Sequence, residues 1–432
     1  MKRKSILCLT LAAAMAAGSL VGCGSSSSTA STTGSTSASA ASATQEAAAS
    51  DTGIQPCEVT FWHAMTGEQE TSLTELTDQF NSENQYGIKV TLVNQGSYND
   101  LSTKLTANAA ADTLPDLSQA YNSWLIPYLD KVVHLDDFVA NDYDDYEDIV
   151  QSYRDETSQF GFINAMPFNK STYVYFYNKT MFDELGLQAP QTWDDLLNIG
   201  KTFQEKKGMV SLGFDDMAGM LEATLRQNGC DYVNEEGAQF DNEAGQEALD
   251  FIMEMYNNGY ARLVGEDNYF SGPFSNQLIP AYIGSSTGVS YITHDGWELG
   301  VAPLPGNTEK AANTAGTNIV MFSQDENQQK AAWEYLKFLT STEATTKWAM
   351  DTGYLPVRTS AYESETYQNF MQNDATATAS YAQADAFFSS PAFDGSYDIQ
   401  NAVNSKLEEL ILNKADSTTA MKELVDAVNG AL

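Results

Sequence analysis

Three histidines (His63, His134 and His294) and four cysteines stand among 432 residues. They are too few and too scattered for a zinc site of the CxxC or HExxH kind. The sequence also lacks GxxxxGK(S/T) and a GxGxxG that follows a strand, so the commonest nucleotide motifs are missing. What it offers instead is aromatic rings set among amides and hydroxyls. Trp62, Tyr98, Tyr121, Trp124, Trp193, Trp297 and Tyr354 stand with Asn122, Asn169, Ser171 and Asn318. Flat rings suit the apolar faces of a sugar, and Asn, Ser and Tyr both donate and accept at its polar rim. Each ring has core packing as its alternative role. Trp193 follows Pro190 at a helix start, which favours partial exposure; Trp297, between Gly296 and Glu298, reads as surface or core. His63 lies between a strand and a helix start, where it could bond a ligand or serve as a buried structural histidine.

Acidic residues are the other abundant chemistry: 58 Asp and Glu against 22 Lys and Arg, a net charge of −36. That balance excludes a nucleic-acid partner, which requires a basic patch. It also excludes adhesion of the whole body to anionic lipid. The run Asp142–Asp148 matches a calcium loop in composition only. It lacks the glycine at the sixth and the glutamate at the twelfth position, so it reads as a solvated surface. A glycosidase would need two carboxylates facing one cleft, and nothing in the spacing nominates a pair.

The chain begins with an address. Lys2, Arg3 and Lys4 precede an apolar stretch of 17 residues, Ile6–Gly22, short for a bilayer span and suited to a signal peptide. It ends in Leu20-Val21-Gly22-Cys23, which resembles the lipobox of bacterial lipoproteins and marks Cys23 for lipidation. Loss of the three leader cations takes the net charge to −39. Of the 27 residues Gly24–Ser50, only Gln45 and Glu46 are not Ser, Thr, Ala or Gly. Such a segment cannot bury apolar area and reads as a tether, with a reach on the order of 30 Å. Cys57 and Cys230 are compatible with export and a disulfide, but read better as two unpaired thiols.

From Glu58 onward the pattern alternates between strand and helix. Val59–Trp62 reads as a buried strand. Thr66 and Gln69 fit a capping box, Leu73, Leu76 and Phe80 form one helix face, and Gly87 closes the helix. Ile88–Val93 then alternates as a half-buried strand, completing a βαβ unit and implying a parallel sheet. Tyr173–Tyr177 is a further strand. Helix faces follow at Leu249, Ile252 and Tyr256, at Ala332, Tyr335, Leu336 and Leu339, and at Met421, Leu424, Val425 and Val428. The length suits two α/β domains, and the absence of a linker suggests that the chain crosses between them more than once.

Four stretches carry a resemblance. They are Phe61-Trp62-His63-Ala64-Met65-Thr66-Gly67-Glu68, Pro167–Thr172 with Tyr175–Lys179, Pro190–Leu196, and Gly353–Val357. In this order they resemble the extracellular solute-binding proteins (family 1) of ABC importers, the maltose-binding-like proteins, across roughly Val59 to Leu432. Gln95–Tyr98 and Gly284–Gly288 are most similar to the glycerol-3-phosphate-binding subgroup. The resemblance implies a two-lobed periplasmic-binding-protein type II fold with a multi-crossover hinge. It implies ligand contacts from Tyr98, Ser171, Trp193, Ser285 or Ser286, the backbone of Gly316, and Tyr354. The subgroup's glutamate falls on Asn122. Its late phosphate-binding arginine should fall within Ser390–Ile399, which holds no basic residue. Losing that bidentate contact weakens a phosphate reading, and Arg358, close after Tyr354, is the alternative cation.

The expectation is therefore a lipid-anchored substrate-binding component that delivers a carbohydrate or polyol to an ABC permease. Glycerol 3-phosphate or a glycerophosphodiester is the alternative ligand, and a secreted glycoside hydrolase a distant one. Expected ligand contacts are Trp62, His63, Tyr98, Asn122, Ser171, Trp193, Ser285, Ser286, Gly316 and Tyr354, with no catalysis, metal or cofactor. The leader is 1–22, the lipidated tether 23–57, the first lobe 58–166 with 311–351, and the second 167–310 with 352–432. The protein is expected to be a monomer on the outer face of the cell membrane.

Overall fold

The computed structural model describes residues 53–432. The leader, Cys23 and most of the tether lie outside the described residues. The folded body begins earlier than residue 58. Gln55 exchanges backbone bonds with the side chain of Asn327, and Ile54 and Cys57 pack on the first core.

The expected βαβ unit is present. The strand Glu58–His63 runs parallel to Lys89–Asn94, and the helix Gly67–Glu83 joins them. Leu73, Leu76 and Phe80 are buried, as their spacing requires. Thr66 is the helix N-cap, but its side chain caps nothing, so the expected capping box does not form there. Boxes do form at Ser97 with Asp100 and at Thr192 with Asp195. The first helix ends at Glu83, before Gly87. Asn84 terminates it by bonding both Phe80 and Ile88 through its side chain.

Two sheets organise the two lobes. The first has Lys89–Asn94, Glu58–His63 and Leu117–Ala120 in parallel, then Asn318–Met321 antiparallel, with Met166–Pro167 at its edge. The second centres on Ser171–Asn178, with Ala281–Ser285, Leu299–Ala302 and Ala312–Ala315 all antiparallel to it. The parallel pattern read from the first βαβ unit thus holds for part of one lobe only. Segments returning from the other lobe enter in the opposite direction. Each lobe has its own core: Phe61, Tyr335 and Trp348 in the first; Phe182, Phe203 and Leu424 in the second.

The lobes are joined at adjacent crossings, and two boundaries differ from the expectation. The expected first-lobe segment 311–351 includes Ala312–Ala315. That strand pairs with Thr172 and Ser171 in the second sheet, so the chain crosses at Gly316–Thr317. There Asn169 N–H donates to the carbonyl of Thr317 (3.0 Å). Gly316 has φ of +107°, and a Cβ on it would lie 1.6 Å from the Asn169 carbonyl oxygen, so only glycine fits. The last crossing is spread out. Tyr354 and Val357 pack in the first-lobe core, whereas Phe387 pairs with the second sheet at Ala312. The expected boundary at 352 therefore does not hold, since a helix face read from sequence does not say which lobe covers it.

Candidate functional site

A cavity of about 160 Å³ lies between the lobes. Tyr121, Asn122 and Glu156 line it from the first lobe; Tyr173 and Asp216 line it from the second, with Gly316 at the crossing. Tyr121 and Asn122 are presented where the strand Leu117–Ala120 turns into the short helix Asn122–Leu125. Asn122 is 6% exposed. Its Nδ2 donates to the Glu156 carbonyl (2.6 Å), and its Oδ1 accepts from Asn164 (3.0 Å). The amide is held in place by this network and retains one N–H for a ligand.

Glu156 closes one wall. Both its carboxylate oxygens lie 2.8 Å from Lys170 Nζ, and Asn318 donates to Oε1 (2.9 Å). Across the cavity, Asp216 accepts from the Tyr173 hydroxyl (2.7 Å). Burial, reinforced by Asp216, holds that phenol well above its ordinary pKa. Glu222 pairs with Arg226 (3.1 Å) and accepts from Ser390 (2.5 Å); burial raises its carboxyl despite Arg226. Among the described residues no lysine or arginine lines the cavity.

An aromatic group adjoins it. Tyr98, the first residue of the helix Tyr98–Ala110, packs on Tyr121 (5.8 Å between rings), and Tyr121 edges Trp124 (4.9 Å). Tyr98 meets Tyr354 hydroxyl to hydroxyl at 3.4 Å, and Tyr354 stacks on Trp348. Tyr354 also lines a second hollow of about 360 Å³, between Thr66 and Gly67 of the first lobe and Tyr291 of the second.

The remaining expected contacts are placed as follows. Trp193 is 7% exposed. Phe251 stacks on it at 4.6 Å, and its Nε1 donates to Gln227 (2.8 Å). It reaches only a narrow crevice of about 30 Å³, which shares Tyr173, Asp216 and Asn313 with the main cavity. Trp62 is half-buried against the first-lobe core. His63 is buried, its Nδ1 accepts from Met65 N–H (3.2 Å), and burial lowers its pKa, which is the structural arrangement. Ser171 is buried opposite Ala315. Ser285 bonds Thr287 (2.9 Å), and Ser286 is fully buried beside the Gly353 carbonyl.

Arg358 cannot stand in for the missing arginine. Nε donates to the Thr340 carbonyl, one terminal nitrogen to Asp145 and Asp148, and the other to Tyr143. Two members of the acidic run therefore clamp this side chain and are not merely a solvated face. Sequence reasoning missed Glu156, Tyr173, Asp216, Asn313 and Ser390. Asp216, just before a helix, carried a positional signal; the others carried none.

Cys57 and Cys230 are both free thiols, the first beside the first core and the second within the second. No helix among the described residues is long and apolar enough to cross a membrane.

Residues 75–379 match the model of the bacterial extracellular solute-binding protein family, and the chain belongs to that family. It is the solute-binding component of an ABC importer. Relatives include an sn-glycerol-3-phosphate-binding periplasmic protein of Yersinia enterocolitica, 25% identical over 78% of this chain and 82% of the relative. The Escherichia coli K12 protein of the same name is 25% identical over 75% and 80%. Among solved structures, the cyclic alpha-maltosyl-1,6-maltose binding protein of Arthrobacter globiformis superposes with a TM-score of 0.78 at 24% identity. It covers 87% of this chain and 99% of its own. UgpB of Mycobacterium tuberculosis in complex with glycerophosphocholine gives 0.76 at 20% identity, covering 87% and 98%.

Proposed function

We propose that the protein is anchored by a lipid on Cys23 and captures a carbohydrate or polyol in the interlobe cavity, then hands it to its permease. Closure of the lobes about the crossings at 167–171 and 315–318 would follow from contacts that both lobes make with the solute. The observation that carries the ligand class is the wall at 390–400. The segment in which the glycerol-3-phosphate subgroup has its arginine contributes Ser390 and Ser396 to the cavity, with Gln400 just beyond it. Arg358 is committed elsewhere, so a phosphate would meet no cation there. Tyr98, Tyr121 and Asn122 are the proposed first-lobe contacts. Gly316, Tyr354 and the upper edge of Trp193 are the proposed contacts from the crossings and second lobe, with Ser171, Ser285, Ser286, Trp62 and His63 supporting them.

The names of the relatives favour a second reading, glycerol 3-phosphate or a glycerophosphodiester, bound through backbone amides. A thermal-shift screen of the tether-free body separates the two. A ligand that binds only the folded state adds about 2.7 kcal/mol of stability at a hundredfold excess over Kd. A shift with neutral sugars or polyols and none with the phosphates supports the carbohydrate reading; the reverse overturns it. Turnover of a chromogenic glycoside would overturn the non-enzymatic role. Palmitate labelling that persists in Cys23→Ser would overturn the anchor.

A further inference from the structure

The cavity's charges and hydrogen-bonding groups do not balance. Three carboxylates line it. Glu156 is answered by Lys170 and Glu222 by Arg226. Asp216 has no cation within ion-pair distance among the described residues and holds a single side-chain bond, from Tyr173. Two further buried polar atoms, on residues that line the same cavity, are orphaned. Asn313 Oδ1 and the Tyr232 hydroxyl have no partner, although their residues are only 4% and 6% exposed. A buried acceptor without a partner costs about 1–3 kcal/mol, so such groups persist where something else satisfies them. The open positions on Asp216 and Asn313 are acceptors. They call for a donor, and the uncompensated carboxylate calls for a positive one. Tyr121 and Tyr173 add ring surface beside it, which attracts a cation further.

We infer that the solute carries a protonated amine among its hydroxyls, as an amino sugar does, and that Asp216 with Asn313 receives the ammonium. This rests on the carbohydrate reading above and narrows it. Among the described residues no cation answers Asp216 and no donor answers Asn313 Oδ1, because the position is held open for the ligand's own charge. An acetylated amine would lose the charge and add bulk, and a plain hydroxyl would supply one neutral donor.

The test is calorimetric titration of the full chain with matched probes: glucosamine, glucose and N-acetylglucosamine, and the corresponding β-1,4-linked disaccharides. The expected result is that the amine-bearing member of a set binds at least about tenfold more tightly, the difference between a charge-assisted and a neutral hydrogen bond. In Asp216→Asn the amine-bearing member should lose at least about fivefold more affinity than the neutral member, shrinking the preference to about twofold. Asn313→Asp, which adds a second carboxylate, should widen it and serves if the first variant misfolds. Neutral sugars binding as tightly as amines would overturn this inference and leave the carbohydrate reading standing. Equal loss of both classes in Asp216→Asn would also overturn it, since the carboxylate would then be receiving hydroxyls. A panel in which no member binds would overturn both.

Discussion

Lys170 and Glu156 are bonded through both carboxylate oxygens at 2.8 Å, and the lysine side chain has no exposure to solvent. Lys170 lies in the first crossing between the lobes, and its carbonyl accepts from Leu355 N–H in the last (2.6 Å). Glu156 is a wall of the cavity. One ion pair therefore ties the crossings to the site. Burial pushes the ammonium below its ordinary pKa, and Glu156 pulls it back.

Breaking one side of that pair leaves a buried charge unanswered. Lys170→Met should cost about 3–5 kcal/mol, read by urea unfolding. The double variant Lys170→Met with Glu156→Gln should recover much of that loss, because no charge is then stranded.

Gly316→Ala should destabilise by about 3 kcal/mol or more. It combines a left-handed backbone with a collision against the Asn169 carbonyl. A melting temperature within 1 °C of the parent (less than about 1 kcal/mol for a chain of this size) would contradict the close approach of the two crossings.

Arg358→Lys should lower stability by about 2–3 kcal/mol, since a lysine cannot reach Asp145, Asp148, Tyr143 and the Thr340 carbonyl together. Its ligand profile in the thermal-shift panel should match that of the parent. A selective loss of phosphate binding would return Arg358 to the site.

Asp215 gives a pH signature. Burial, aided by Asp216 and opposed by the Phe270 N–H, raises its carboxyl to about 6, against 3.8 in the unfolded chain. Between those values the folded state holds a proton that the unfolded state has released. Stability from this group is therefore present below about pH 4 and is lost as pH rises through 6. Asp215→Asn keeps an acceptor for Phe270 and should stabilise by about 1–2 kcal/mol at pH 7.5, with no gain below pH 4, followed by thermal melts across pH.

Trp193→Phe keeps a ring against Phe251 and loses the Gln227 bond. A loss of about 1 kcal/mol is expected. Solute affinity should stay within about threefold if Trp193 meets the ligand by an edge. A loss of tenfold or more would show that its free face stacks on the solute.

Much of the fold was legible because local patterns report local structure. Alternation at Ile88–Val93 and the faces at Leu73, Leu336 and Leu424 correspond to buried positions in the structure. What those patterns cannot carry is the partner. Val357 and Leu424 read alike as apolar, yet one packs in the first lobe and the other in the second. Of the expected contacts, Asn122 and Gly316 line the interlobe cavity, and Tyr98 packs on Tyr121 in its wall. Asp216 was one of 58 acids.

The sequence by itself determined the α/β class, the large excess of acid, the family motifs, and the absence of an arginine within Ser390–Ile399. Tertiary structure alone decided that Arg358 is locked to Asp145 and Asp148, that His63 faces Met65, and that Asp216 is left without a cation. Each of these depends on which charges and hydrogen-bonding groups come within about 3 Å of one another. The paired residues stand tens to hundreds of positions apart, and only the folded chain brings them together.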